Sequence, residues 1–411
     1  MQTMNPIDEN MIITPADWVV NDSTIKVFGV GGGGCNAVSY MHEQNIEGCS
    51  FIVCNTDSQA LSKNPVGRKV QMGRGLGAGT DPIKGRNAAL ESIPAIEAAL
   101  DEGRTEMLFL TAGMGGGTGT GAAPVIAKMA RDRGILTVAV VTIPFRFEGK
   151  ATFTRAIEGL QELESQVDSL LVIDNEKLNE FFGDLLISDA FHKADEILST
   201  AVRGIIDIIK KPGLINVDFQ DVQTMMRGSG MALMGCGYGC GSERIDDAVS
   251  AAFTSPLLGN YDLSTAKNVL INVYTCRGEK GLTMNDYETI STKIVEYTGI
   301  TNRFKSGLVY DDEDPQLKDG IKITAIATGF KATSLVNPDG KDSNFIKIGP
   351  DFVYSPEAVP SDATIVPDST SYPAREGSPA FRYDPDRRPA LLTSDGSEIN
   401  ELETTPAIRR K

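Results

Sequence analysis

Histidine is almost missing from this chain: His42 and His192 are the only two among 411 residues. That scarcity argues against a histidine-rich metal site and against a Ser-His-Asp triad, and no metal-ligating cluster is expected. Basic clusters are missing too, outside Arg409-Arg410-Lys411, and 39 Lys and Arg against 55 Asp and Glu leave a formal charge of −16. A polyanion repels nucleic acid and anionic lipid unless a local basic patch intervenes, so neither is an expected partner. The six cysteines (Cys35, Cys49, Cys54, Cys236, Cys240 and Cys276) form no CxxC pair. Reduced cytosolic thiols fit that spacing better than a disulfide framework or a zinc site. The longest apolar run, Ile135 to Phe145, falls short of the ~20 residues a membrane helix needs. Met1 to Pro6 has neither the basic start nor the apolar stretch of a signal peptide. A cytoplasmic, soluble protein without membrane insertion is the expectation. No GxxxxGK[ST] occurs, which excludes an ordinary P-loop NTPase.

What is present suits a large folded core: 41% of residues are hydrophobic and 23% charged. At ~100–200 residues per domain the length suggests two or three domains. Residues 1–23 are polar and aperiodic, an arm. From Thr24 onward, β-branched or apolar runs at 25–30, 51–54, 107–110, 136–141 and 170–173 alternate with helical patterns near 35–45, 84–102, 119–133 and 151–167. This alternation is the signature of an α/β fold whose parallel sheet is covered on both faces. A Rossmann-like domain is therefore expected over 24–186.

A longer helical pattern runs from Ile187 to Lys210 and is stopped by Pro212-Gly213, giving a central helix within 187–212. Helices near 219–227, 243–253 and 283–298, with strands near 229–236, 267–276, 303–310 and 320–328, then predict a smaller α+β domain over 213–330. Beyond it the pattern disappears. Residues 331–411 hold ten of the twenty prolines but only four of the 42 glycines, which predicts a disordered linker over 331–398. The segment 399–411 regains apolar and basic character.

Two glycine-rich loops carry the chemistry. The first, Gly29 to Gly34, follows a strand, opens a helix and matches GxGxxG. Such a loop holds phosphate on a helix N-terminus, where backbone N–H groups and the helix dipole favour an anion. By itself it admits an NAD(P)-dependent oxidoreductase, with Asp57 as the ribose-binding acid. The second loop, Gly113 to Gly121, also follows a strand and precedes a helix, and its threonine hydroxyls add donors. Two such loops on one sheet suggest a ligand with several phosphates, and a dehydrogenase needs only the first.

At these residues a resemblance emerges. Gly115-Gly116-Gly117-Thr118-Gly119-Thr120-Gly121 resembles the signature of the tubulin/FtsZ GTPase superfamily. Gly31-Gly32-Gly33-Gly34-Cys35-Asn36-Ala37-Val38 resembles the first nucleotide loop of the FtsZ family, and Asn216-Val217-Asp218-Phe219-Gln220-Asp221 resembles its catalytic loop. The similarity runs from about Ile25 to Phe330, with the three motifs in the family's order. It implies a GTPase that binds GTP and GDP with Mg²⁺ and polymerises head to tail into the cytokinetic ring at mid-cell. A tubulin-like filament protein that segregates DNA, or builds another scaffold, is the neighbouring alternative.

By the same resemblance Gly32, Gly33, Gly34, Cys35 and Asn36, together with Gly115 to Gly121, contact phosphates. Glu148 binds the ribose, and Asn175, Phe191 and Asp195 surround the guanine. Phe191 and Asp195 stand i, i+4 on one helix and so share a face, a ring beside a carboxylate that accepts from guanine N1–H and N2–H₂. Without the resemblance Phe191 reads as core and Asp195 as solvated. Thr152 stands where the family has a nucleotide-contacting Arg, and Arg155, one turn on, is the candidate substitute.

Asn216, Asp218 and Asp221 are the catalytic candidates. Spacing alone reads Asp218 as an N-cap and Asp221 as first-turn negative charge. The resemblance implies instead that these carboxylates reach the nucleotide of the next subunit and polarise a water. Thr405 to Lys411 resembles, in part, the family's tail that docks on membrane-tethering division proteins, though its usual aromatic–Leu pair is missing.

Overall fold

The computed structural model describes residues 23–211, 213–254, 263–278, 280–299, 301, 303–312, 314–330, 346–347 and 353–354. The expected arm, the linker and the tail lie outside these, apart from Ile346–Lys347 and Val353–Tyr354. Those two pairs form a small antiparallel ribbon, in a unit over 344–411 that is separate from 1–343.

The first strand, β1 (Ile25–Val30), is buried at every position, as a parallel strand covered on both faces must be. It is followed by α1 (Gly31–Glu43), β2 (Ser50–Asn55), α2 (Ser58–Lys63) and β3 (Lys69–Gln71). Next come α3 (Pro82–Glu91), α4 (Ile93–Asp101), β4 (Met107–Gly113), α5 (Thr118–Asp132), β5 (Leu136–Ile143), α6 (Lys150–Gln166), β6 (Ser169–Asp174) and α7 (Asn175–Phe182). The single helix expected at 84–102 is two, because Pro94 in the first turn of α4 has no N–H for a continuing ladder. α2, β3 and α7 are too short to leave a periodic trace. α1 begins at Gly31 rather than near 35, since its glycines carry no apolar pattern.

The central helix α8 (Ile187–Lys210) has the bounds that its periodicity predicts. It buries Ala194, Leu198, Ala201, Val202, Ile205 and Ile208 in the main core. After it come α9 (Phe219–Met226), β7 (Gly230–Cys240), α10 (Arg244–Phe253), β8 (Asn268–Thr275), α11 (Met284–Thr298), β9 (Arg303–Tyr310) and β10 (Gly320–Phe330).

Ten strands form one sheet in the order β3-β2-β1-β4-β5-β6-β7-β10-β8-β9. From β3 to β6 every pairing is parallel, and β10 runs antiparallel to β7 and β8. The two groups join where Ser169 to Leu171 of β6 pair with Gly230 to Ala232 of β7. The chain winds from β1 outward to β3, then returns to place β4 on the other side of β1. That reversal is a topological switch point, where open α/β sheets bind ligands beyond the strands' carboxyl ends.

Lys26 is a buried charge in this sheet. Its Nζ donates to the carbonyls of Ala99 (2.7 Å), Leu100 (3.0 Å) and Glu102 (2.6 Å), so it caps the C-terminal end of α4. Burial lowers its pKa to about 8.

Candidate functional site

Both glycine loops leave the switch point. β1 and β4 pair in parallel, Gly29 opposite Thr111 and Val30 opposite Ala112, so α1 and α5 start side by side. Val30 and Gly117, the residues before the two helices, have no side-chain acceptor to cap them, which leaves first-turn N–H groups for an anion. The two starts nearly touch. Gly31 has φ = +73°, and a Cβ there would lie 2.8 Å from the Gly119 nitrogen. Gly32 and Gly116 face open space instead, where an added Cβ would meet no atom of the described residues within 4 Å. Together with exposed Gly33 and Asn36 they form the accessible floor of the site.

The other loop residues build the frame. Gly34, Gly115, Gly117, Gly119 and Gly121 are buried in the packing between loops, strands and helices. The Thr118 hydroxyl hydrogen-bonds that of Thr56 at 2.6 Å, and the Thr120 hydroxyl accepts the Gly115 N–H at 2.8 Å. Both threonines are buried, so their hydroxyls hold the loop's shape. Cys35 points inward, its Sγ 3.5 Å from the carbonyls of Gly29 and Cys54, and burial pushes its thiol up to about 12. Its side chain is inert packing, and only its backbone is available to a ligand.

One rim of the site is the turn after β5. The Phe145 N–H donates to Glu148 Oε1 (2.9 Å), and the Thr152 hydroxyl donates to the Glu148 carbonyl (3.0 Å). Arg155 reaches back across this turn. Its Nε donates to the Gly115 carbonyl at 2.9 Å and its Nη2 to the Thr152 hydroxyl at 3.2 Å. A guanidinium therefore sits against the second glycine loop, although position 152 carries no charge.

The starts of α7 and α8 adjoin that turn: the Arg146 N–H donates to Glu176 Oε2 at 3.0 Å. Asn175, the first residue of α7, is buried, and its Oδ1 finds no hydrogen-bond partner among the described residues. A buried acceptor left alone costs ~1–3 kcal/mol, so the position fits a ligand that brings a donor. Phe191 is 44% exposed. Its ring meets Phe145 edge-on at 5.4 Å, and Phe145 stacks on Phe147 at 5.0 Å. One turn along α8, burial pushes the Asp195 carboxyl up to about 6, with His192 acting in the opposite direction. A carboxylate strained by burial beside an aromatic face suits the Watson–Crick edge of a guanine. Phe145 and Phe147 escaped the sequence reading. Two aromatics at i, i+2 just past the carboxyl end of a strand were the available signal.

Asn216, Asp218 and Asp221 lie elsewhere. Arg227, just beyond α9, donates to the Gly134 carbonyl (3.1 Å), and the Gly228 N–H donates to Asp168 Oδ1 (3.2 Å). Gly134 and Asp168 precede β5 and β6, so this segment sits at the amino edge of the parallel strands, opposite the glycine loops. The 24 residues of α8 span about 36 Å at 1.5 Å each, with Phe191 near one end and the Asn216–Asp221 segment beyond the other. Asp218 is the N-cap that spacing suggests. Its Oδ1 accepts the Asp221 N–H (2.8 Å) while Asp221 Oδ2 accepts the Asp218 N–H (3.2 Å). The Asn216 Oδ1 accepts the Gly213 N–H at 2.7 Å. Lys305 Nζ lies 2.9 Å from Asp221 Oδ2.

Asp57, the acid a dehydrogenase would use, caps α2 by accepting from the N–H groups of Gln59 (2.9 Å) and Ala60 (3.1 Å). Among the described residues no group of three or more His, Cys, Asp or Glu is placed to hold a metal ion, and no helix is long and apolar enough to cross a membrane.

A parallel sheet that offers two glycine-lined helix starts to one ligand at its switch point, and runs on into a second set of strands, defines a tubulin-like class of nucleotide-binding protein. Residues 24–183 match the GTPase domain of the Tubulin/FtsZ family and residues 230–331 the C-terminal domain of the FtsZ family. The cell division protein FtsZ of Porphyromonas gingivalis is 46% identical over 310 residues, covering 74% of this chain and 67% of that protein. Its counterpart in Pseudomonas aeruginosa is 46% identical over 322 residues, covering 77% of this chain and 79% of that protein. A solved structure of the empty FtsZ dimer from M. jannaschii matches with a TM-score of 0.67 at 38% identity, covering 74% of this chain and 88% of that chain. The chain belongs to the FtsZ family. It is thus a tubulin-like GTPase whose nucleotide is a guanine nucleotide; the oxidoreductase alternative finds no support.

Proposed function

We propose that this chain polymerises head to tail and hydrolyses GTP only where two subunits meet, as the filament of the cytokinetic ring at mid-cell. One observation carries the reading: the two glycine loops and the acidic Asn216–Asp221 segment occupy opposite edges of one sheet, too far apart to serve a single nucleotide. Stacking one chain's amino edge on the next chain's glycine loops brings the halves together. A head-to-tail contact of this kind does not close on itself, so it generates an open filament.

In this reading the N–H groups at the starts of α1 and α5 cradle the phosphates, and Arg155 stiffens the Gly115 loop. Phe191 stacks on the base, while Asp195 and Asn175 accept from the guanine edge. The next subunit contributes Asp218 and Asp221. The bonds within the chain engage Oδ1 of Asp218 and Oδ2 of Asp221. The second oxygen of each can take a hydrogen bond from the attacking water and orient it on the γ-phosphate. Phosphoryl transfer needs mostly positioning and charge stabilisation, which divided sites can supply. Mg²⁺, held by the phosphates with those carboxylates facing it, would neutralise developing charge. The tail at 399–411 docks on membrane-tethering division proteins in the cytoplasm.

The test is GTP turnover per molecule against protein concentration, with electron microscopy of the same samples. Turnover should switch on at a threshold, together with filaments. A rate per molecule independent of concentration would mean that each chain holds a complete site.

A further inference from the structure

We infer that Lys305 is a positioning residue for GTP hydrolysis, orienting the Asp221 carboxylate from the edge strand β9; this rests on the divided-site reading above. β9 is the last strand of the sheet and pairs in parallel with β8, Leu270 opposite Lys305. Its side chains alternate between faces. On one face the Ser306 hydroxyl bonds the Tyr287 hydroxyl of α11. On the other, Arg303, Lys305 and Gly307 meet α9 and the acidic segment that leads into it. Arg303 Nη1 donates to the Thr224 carbonyl (3.5 Å), Lys305 pairs with Asp221, and Gly307 lets the chain approach so closely that a Cβ would lie 2.9 Å from Val217 Cγ2. Backbone bonds complete the bracket. The Leu308 N–H donates to the Ile215 carbonyl (3.0 Å), and the Leu308 carbonyl accepts from the Leu214 N–H (2.7 Å).

Of these contacts only the Lys305 pair touches a carboxylate with a proposed part in the chemistry. α9 does not need it to start, because Asp218 and Asp221 already cap that helix reciprocally. The two side chains retain 39% and 31% exposure, and pairs so exposed add little to the stability of a fold. What Lys305 does is local. It shares Asp221 Oδ2 with the Asp218 N–H, which commits that oxygen to the loop and assigns Oδ1 to the water. Once a neighbouring subunit covers the pair and excludes solvent, the attraction strengthens and the carboxylate is held where the reaction needs it.

The test uses the full chain with four variants: Lys305→Met, Lys305→Arg, Asp221→Asn, and Lys305→Met combined with Asp221→Asn. Three quantities are read for each: GTP affinity below the assembly threshold, sedimentable polymer, and turnover per polymerised subunit. Lys305→Met should lower turnover ~10-fold, a fraction of the ~10²-fold loss that a 1 Å misplacement brings, with GTP affinity and polymer unchanged. Lys305→Arg should restore most of the rate. In the Asp221→Asn background Lys305→Met should have no further effect, because Lys305 acts through that carboxylate. Parental turnover in Lys305→Met overturns the inference. So does a further loss in the double variant, which would make Lys305 an independent cation, and so does a loss of polymer, which would make it a filament contact. If Asp221→Asn alone keeps parental turnover, the divided-site reading fails, and the role of Lys305 falls with it.

Discussion

The two edges of the sheet solve different problems with different materials. At the carboxyl edge the groups open to a ligand are mostly backbone: Gly32, Gly33 and Gly116 are exposed on a frame locked by buried Thr118 and Thr120. At the amino edge the expected actors are carboxylates, Asp218 and Asp221, held by a reciprocal cap and by Lys305. Backbone amides bind a polyanion without adding a charge that must be desolvated when the site is empty. Carboxylates beside a triphosphate would repel it within a preformed pocket. On the proposed reading, delivering them from a second subunit would couple that cost to assembly and make binding and hydrolysis separable steps.

The sharpest way to break this comparison is Asp221→Asn. Turnover should fall ~10²-fold or more, as when a water-activating group is lost, while GTP affinity stays parental. Mixed with the parent chain, the variant should join filaments and lower the total rate. If Asp221 were only a helix cap, activity would fall no further than thermal stability does.

At the other edge, Asp195→Ala should weaken GTP binding by ~1–3 kcal/mol by leaving the guanine donors unpaired. Titration with a fluorescent GTP analogue below the assembly threshold measures this without interference from polymer. ATP should bind poorly to the parent, because adenine presents no N1–H or N2 amine; equal affinity would sink the guanine assignment. The same carboxyl gives a pH signature. Burial raises it to about 6, and on the proposed reading the ionised form accepts from both guanine donors. GTP affinity should therefore be full above that pH and decline below it, by up to about tenfold per unit, and Asp195→Ala should abolish the decline.

Arg155→Ala probes whether the frame itself matters. It removes the 2.9 Å bond to the Gly115 carbonyl, and GTP affinity should drop several-fold, in keeping with the ~1 kcal/mol worth of one hydrogen bond. The smallest effect is expected from deleting 399–411. Turnover and filaments in vitro should stay within about twofold of the parent, whereas recruitment to a division ring should fail if the tail is the docking segment. Fluorescence imaging of tagged chains in cells, beside pelleting assays, separates the two.

Much of this was legible one residue at a time. Near-continuous apolar runs announced β1, β4, β5 and β6 because strands buried on both faces need no alternation. The 3.6-residue period and its stop gave α8 its bounds, and glycine density located both glycine-rich helix starts. Local rules also foresaw the Asp218 cap, since N-cap chemistry spans only three residues. They could not say that Asn175 is buried with an oxygen that finds no partner among the described residues, or that Phe145 meets Phe191, because burial and that contact depend on segments far apart in the chain. Lys305 is the clearest case. As a letter it is one solvated lysine among many, and only the pairing of β9 with β8 and the approach of Gly307 to Val217 set it against Asp221. Which elements form and where glycine opens the backbone were therefore determined by sequence, through interactions that reach a few residues. The placing of the glycine loops and the Asn216–Asp221 segment at opposite edges of the sheet was decided by tertiary structure alone, because strand order is a matter of long-range pairing that no local pattern encodes.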